Sequence, residues 1–260
     1  MAIKVAVIGE CMIELSESKV NIVRHFGGDT LNTAVYLARA NTELAVHYVT
    51  AMGTDAISNS MLQQWQQEGV HTDLVQRFAH KLPGLYLIET DEHGERAFHY
   101  WRSDAAARYW LQGDEAEHIC QQLHEFDYIY LSGISLAILS QADREILLQR
   151  LAECRAAGVK IAFDSNYRPR LWESCEAAQQ AYHAMLTLTD LAFLTLDDEY
   201  ALWGDSQVEQ TLARTLGWPH LIALGVGAIV GTGILTLIGV GADKAGPAVI
   251  LSFGIAGLIC

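Results

Sequence analysis

Short apolar runs alternate with longer segments of helical periodicity along most of this chain. The runs lie at residues 4–9, 46–50, 127–131, 159–164 and 191–195, and the helical segments at 56–68, 142–157, 177–188 and 198–203. Strands separated by helices must be joined by crossovers, and crossovers make parallel pairs. The alternation therefore predicts an α/β fold, a mostly parallel sheet with helices on both faces. The run at 4–9 is β-branched and closed by Gly9, the pattern of a strand buried on both sides. Gly27-Gly28 precedes a helix through Arg39, with Asp29 or Thr30 as its expected cap, and Gly69 and Gly158 stop two later helices. One stretch departs from the alternation. Residues 85–90 and 96–102 flank Asp91-Glu92-His93-Gly94 and read as a hairpin that leaves the sheet as a small β flap.

Charge divides the chain. The formal net charge is −14, which excludes a broad nucleic-acid surface. From Leu221 to Ala242 there is no ionisable side chain; Asp243 and Lys244 follow, then an uncharged run to Cys260. Residues 221–240 have the length of a bilayer span, interrupted by glycines. The expected organisation is a domain at 1–212 and a hydrophobic helical tail at 213–260, able to attach to a membrane through 221–260. A second reading keeps residues 220–224 as a further strand of the sheet and 225–233 as a nucleotide loop. Cys11, Cys120, Cys154, Cys175 and Cys260 are odd in number and form no C-x-x-C pair, which suits a reducing, cytoplasmic setting. The apolar run that ends at Glu10 is too short for a signal peptide.

Open parallel sheets bind ligands outside the carboxyl ends of their strands. The loops there carry Gly9-Glu10, residues 27–32, Ser132-Gly133 and residues 164–168. Paired glycines at 27 and 28 let a ligand approach backbone, and Asp29 and Asn32 can hydrogen-bond hydroxyls; an ordinary Gly-Gly turn has the same sequence. Arg168 offers a planar fork for a carboxylate or phosphate, or is a solvated basic loop residue. Tyr86, Tyr100 and Arg102 sit on the hairpin, where the two tyrosines either close over a polar ligand or simply pack across strands. Gly133-Ile134-Ser135-Leu136-Ala137 lacks the second glycine and the partners of a nucleophile elbow. Asp197-Asp198-Glu199 reads as a charged helix start. The ten histidines show no ligand spacing, so no dedicated transition-metal site is expected.

Glu10-Cys11-Met12-Ile13-Glu14-Leu15, the 27–32 motif, Ala51-Met52-Gly53-Thr54-Asp55, Tyr100-Trp101-Arg102 and the 164–172 block occur in one order. Together they resemble the ribokinase-like (PfkB) carbohydrate kinases, in particular those acting on 2-keto-3-deoxygluconate. The likeness runs from Ile3 to about Leu212. It implies ATP-dependent phosphorylation of a sugar acid, with Mg2+. It also implies that Gly28, Asp29 and Asn32 hold sugar hydroxyls. Tyr86, Tyr100 and Arg102 would clamp from the flap, Arg168 would meet the substrate carboxylate, and Asn166 and Arg168 would approach the nucleotide phosphates. Glu199 falls at the family's Mg2+-linked glutamate, but Leu196 stands where the family has an asparagine. The family's Gly-Ala-Gly-Asp segment, which carries the catalytic base and the phosphate-cradling helix start, has no counterpart among the 260 residues. Residues 214–260 resemble the first membrane helix and the start of the second in cationic-amino-acid-type permeases. The expectation is thus a truncated kinase fragment fused to a permease fragment, without turnover. A non-catalytic sugar-acid-binding or homo-oligomerising module and a non-functional membrane-attached fusion are the alternatives.

Overall fold

The computed structural model describes residues 2–17, 21–91 and 95–204. The chain divides into two compact units, residues 1–161 and 162–260.

In the first unit, β1 (Ile3–Ile8), β2 (Met12–Glu17) and β3 (Ile22–Gly27) lead into α1 (Asp29–Ala40). β4 (Leu44–Gly53), α2 (Ala56–Gln67) and β5 (Val75–Phe78) form the next crossover, followed by β6 (Leu85–Thr90) and β7 (Arg96–Trp101). After them come α3 (Ala116–Gln122), β8 (Tyr128–Ser132), α4 (Gly133–Ala137), α5 (Gln141–Ala156) and the start of β9 (Lys160–Asp164). β1 lies between β4 and β8 and is parallel to both; β4 also pairs in parallel with β5. Val5 to Ile8 are buried, as a strand covered on both faces requires.

The helices present apolar stripes to this sheet. α2 buries Ser58, Met61, Leu62 and Trp65, a helical spacing of three and four, and the Trp65 ring meets Tyr48 edge-on at 5.2 Å. Gly69 at φ 82° and Gly158 at φ 102° take the left-handed turns that follow α2 and α5, a conformation only glycine adopts without strain.

The flap is larger than a hairpin. β6 and β7 pair antiparallel as expected, but β6 also pairs in parallel with β2, and β2 with β3, giving a four-stranded sheet β3-β2-β6-β7. β2 and β3 are hidden in the sequence by their own polar residues: Glu14 and Ser16 alternate with apolar residues in β2, and Arg24 and His25 stand side by side in β3. Neither Asp29 nor Thr30 caps α1. Gly28 is the N-cap, Asp29 and Thr30 already lie inside the helix, and the Thr30 hydroxyl pairs with Tyr48 Oη at 2.9 Å. Ser135 is no nucleophile: it is buried, donates to the Ile8 carbonyl at 2.8 Å, and accepts from the Ser132 N–H at 3.2 Å.

In the second unit, the remainder of β9 pairs in parallel with β10 (Leu191–Phe193), joined through α6 (Cys175–Leu188), and α7 (Leu196–Trp203) follows. Tyr182 of α6 is the centre of an aromatic cluster, with Phe163, Tyr167 and Trp172 rings 5.5, 5.9 and 5.8 Å away. The hydrophobic tail expected at 213–260, with its span at 221–240, lies outside the described residues. Among the described residues no helix is long and apolar enough to cross a membrane.

Asp55, in one of the shared motifs, caps α2. Its carboxylate accepts from the N–H groups of Ile57 (2.9 Å) and Ser58 (3.0 Å) and from the Ser58 hydroxyl at 2.5 Å. Partial burial opposes the charge, but these bonds outweigh it and hold the carboxyl below its ordinary range. The cap's contribution is present above that range and is lost as pH falls through it. Asp55→Ala should cost about 1 kcal/mol at neutral pH. Urea unfolding should show the difference shrinking towards pH 3; a pH-independent difference would rule out the charged cap.

Candidate functional site

The carboxyl end of β1 organises the candidate residues of the first unit. β1 runs into Gly9-Glu10, which packs against the start of α1. A Cβ at Gly28 would fall on the Glu10 carbonyl oxygen and lie 3.2 Å from the Cys11 Cα. Gly28 is extended, at φ 171° and ψ 141°, so contact distance rather than backbone angle demands glycine here. α1 carries no capping side chain at its start, and the Asn32 N–H is its first intrahelical donor, to the Gly28 carbonyl at 2.9 Å. First-turn N–H groups without a cap suit anionic or hydroxyl ligands. Asp29 is partly buried beside them, and the Asn32 side chain is exposed.

The second sheet brings up the aromatic residues. His25, Glu14, Tyr86 and Tyr100 are register partners in one row across β3, β2, β6 and β7, so they share a face. Tyr86 and Tyr100 have ring centroids 5.8 Å apart, and Phe98 continues the face at 6.4 Å from each. The Tyr86 hydroxyl donates to Glu14. Burial, then this carboxylate, raises its pKa, so Tyr86 stays a protonated phenol. A Cβ at Gly27 would come within 2.5 Å of the Tyr86 hydroxyl. Gly27 therefore lets the Tyr86 hydroxyl stand directly beside the Gly27-Gly28 turn.

Arg102 differs from expectation. Its guanidinium is ion-paired with Glu10, and both side chains are almost fully buried, at 10% and 1% exposure. Burial raises the Glu10 carboxyl above its ordinary range, while the charge and hydrogen bond of Arg102 oppose the rise. Glu10 Oε1 and Arg102 Nε make no hydrogen bond, and a Cβ at Gly84 would lie 2.8 Å from that Oε1. Among the described residues the pair is thus held with unused donor and acceptor capacity beyond the carboxyl end of β1. Glu10 stands in a loop that the sequence places at the ligand-binding end of the sheet, but its pairing with Arg102 is not written there. Its position directly after β1's closing glycine was the available signal.

In the second unit, β9 ends at Asp164 and the chain turns at Asn166, the one non-glycine among the described residues with positive φ, at 32°. The Ser165 N–H donates to the Phe193 carbonyl at 2.8 Å, and the Tyr182 hydroxyl donates to the Ser165 carbonyl, which together set the turn. Arg168 leaves it 54% exposed, donates to the Tyr167 carbonyl at 2.8 Å, and lies 3.5 Å from Asp198 Oδ1. Such a long, half-exposed pair leaves the guanidinium able to take a stronger anion.

Glu199 is 1% exposed; the Trp203 side chain approaches its carboxyl and opposes the rise in its pKa, but among the described residues no hydrogen bond of good geometry reaches either oxygen. Burial first, then the charge of Asp198, pushes its carboxyl up to about 7. Thr195 caps α7 by accepting from the Asp198 N–H, while Leu196 supplies no ligand atom. A buried carboxyl with no cation beside it among the described residues fits a group that gains its charge only when a cation approaches. With its pKa raised on folding, Glu199 contributes stability fully below about 4.5, and this is lost as pH rises through about 7. Glu199→Gln should therefore gain on the parent chain by about 1–3 kcal/mol between pH 5 and pH 8. Urea unfolding at the two pH values checks it, and a constant difference would mean an ordinary carboxyl.

The pfkB family carbohydrate kinase model matches residues 2–228. The chain is 62% identical over 215 residues to 2-dehydro-3-deoxygluconokinase of Dickeya dadantii, covering 82% of this chain and 69% of the relative. It is 60% identical over 217 residues to the enzyme of that name from Escherichia coli K12, covering 83% and 70%. A crystal structure of 2-dehydro-3-deoxygluconokinase from Thermotoga maritima shares the fold with a TM-score of 0.70 at 22% identity, covering 82% of this chain and 69% of that one. This chain belongs to the pfkB family of carbohydrate kinases.

Proposed function

We propose that the chain binds 2-keto-3-deoxygluconate, a synonym of the substrate named for the two bacterial relatives, as the substrate-binding part of an ATP-dependent sugar-acid kinase. The observation that carries this is the uncapped start of α1 beside the Tyr86–Tyr100 face, with Gly27 and Gly28 admitting close approach. Gly28, Asp29 and Asn32 hold sugar hydroxyls. Tyr86 and Tyr100 cover the apolar carbons, with the Tyr86 phenol donating. Arg102 takes part with its Glu10 partner, which orients it. Arg168 receives the substrate carboxylate, and Asn166 and Arg168 receive nucleotide phosphates. ATP supplies the phosphoryl group when bound. Glu199 is the residue here that suits a Mg2+-linked role, and its deep burial with no cation beside it among the described residues supports that.

No Gly-Ala-Gly-Asp-type segment occurs among the 260 residues. Phosphoryl transfer needs a base on the attacking hydroxyl and donors on the transferring group. This polypeptide by itself therefore binds the sugar acid without turning it over. Titration calorimetry should show binding, weakened by about 2–5 kcal/mol in Arg168→Ala where a desolvated carboxylate loses its partner. Asn32→Ala should cost about 0.5–1.5 kcal/mol, one neutral hydrogen bond. Equal binding by Arg168→Ala would remove the carboxylate assignment. Substrate-dependent ADP release at the rate of a full-length relative would remove the claim of no turnover.

The tail at 213–260 is proposed as a permease-like, membrane-attaching segment on the strength of the uncharged run at 221–242. The competing reading, a further kinase strand at 220–224, is favoured by the family match reaching residue 228. Exposed Ile22, Val23, Phe98 and Trp101 support self-association through the second sheet. On the membrane reading the chain sediments with membranes and moves into buffer when ended at Leu212. A monomeric, buffer-soluble chain with a protease-resistant tail would establish the strand reading instead.

A further inference from the structure

Towards the amino ends of the parallel strands, away from the substrate-side loops, three potential metal ligands converge. His47 on β4 and His71, at the return from α2, are bridge partners, with the Tyr48 N–H donating to the His71 carbonyl at 3.0 Å and the His71 N–H to the Val46 carbonyl at 2.8 Å. Their rings stack at 4.4 Å with 15° between planes. Asp73 lies two residues beyond His71, in the turn closed by the Val75 N–H on the Thr72 carbonyl at 3.2 Å, and its Oδ1 is 2.9 Å from His47 Nδ1. One nitrogen from each imidazole and one Asp73 oxygen lie within 4.8 Å of one another.

We propose that His47, His71 and Asp73 form a binding site for a zinc-type divalent cation. Two imidazoles and a carboxylate are a borderline-soft donor set that favours Zn2+, Ni2+ or Cu2+ over Mg2+ or Ca2+. A tetrahedral zinc with bonds of about 2.0–2.1 Å holds its ligand atoms about 3.3 Å apart. Ring rotation from the present positions closes the gap, because the backbone already holds the two histidines in register. Phe126 stands edge-on to the His47 ring at 5.1 Å and shields that side, while His71 and Asp73 are exposed and give the ion a path from solvent. The nearby cation Lys4 is offset by Glu125 at 3.5 Å. Fourth-position water completes the set. The ion ties the end of the β4–α2 crossover to β4 and acts on stability, since it binds the folded chain and not the unfolded one.

Sequence spacing could not show this site, because 24 positions and a whole helix separate the two histidines. The test is zinc titration of the full chain by calorimetry, paired with thermal unfolding. The intact chain should bind one zinc. His71→Ala and Asp73→Asn, both at exposed positions that folding tolerates, should each weaken binding by at least about tenfold. Zinc at about 100 times its dissociation constant should raise the unfolding midpoint of the parent by several degrees, and that of His71→Ala by far less. His118→Ala, at an exposed histidine on α3, should bind like the parent. Zinc binding no tighter than millimolar, unchanged binding by both ligand variants, or an equal loss in His118→Ala would overturn the site.

Discussion

The carboxyl end of β1 is the point on which the first unit depends. Within a few residues it meets three other elements at contact distance. The Ile8 carbonyl accepts from Ser135 at 2.8 Å, the Gly9 N–H donates to the Val49 carbonyl at 3.2 Å, and the Ile13 N–H donates to the Gly84 carbonyl at 2.8 Å. A Cβ at Gly9 would overlap the Thr30 side chain, and one at Gly28 would overlap the Glu10 carbonyl. Three glycines, at 9, 28 and 84, therefore allow a strand, a helix start and the second sheet to meet around one carboxylate. Substituting any of them would push apart elements that the site needs together.

That carboxylate is an electrostatic commitment. Glu10 and Arg102 are both out of water, and the attraction between them opposes a desolvation cost of several kcal/mol per ion. Removing one partner alone would strand the other charge. Nearly buried pairs with unfilled hydrogen-bonding capacity are places where a polar ligand can complete the set, which suits a hydroxyl-rich substrate. Glu199 presents the same logic without an ion-pair partner among the described residues: burial and the charge of Asp198 raise its carboxyl to about 7, against the opposing influence of Trp203.

β1, β4, β8, β9 and β10, the longer helices between them and the 85–102 hairpin were legible because burial on both faces and two-residue alternation write themselves into local sequence. β2, β3, β5 and α3 were not, since short or half-polar elements owe their conformation to their neighbours rather than to their own propensity. The aromatic pair was legible for a simple reason: residues 86 and 100 sit symmetrically about a short turn. The Arg102 partner was not, because Glu10 is 92 positions away and only the fold decides which carboxylate a guanidinium meets.

The sequence by itself determined the fold class, the family, the glycine-gated helix start and the absence of a Gly-Ala-Gly-Asp segment, because each is a property of residue order. The tertiary structure decided how those residues are used. It made Gly28 rather than Asp29 or Thr30 the cap, drawing the Thr30 hydroxyl to Tyr48. It buried Arg102 against Glu10, and Glu199 with no cation beside it among the described residues. It set His47 beside His71 across a crossover. Charge, donor geometry and metal affinity depend on what stands within a few ångströms of an atom, and residues that far apart in the chain become neighbours only when the strands pair.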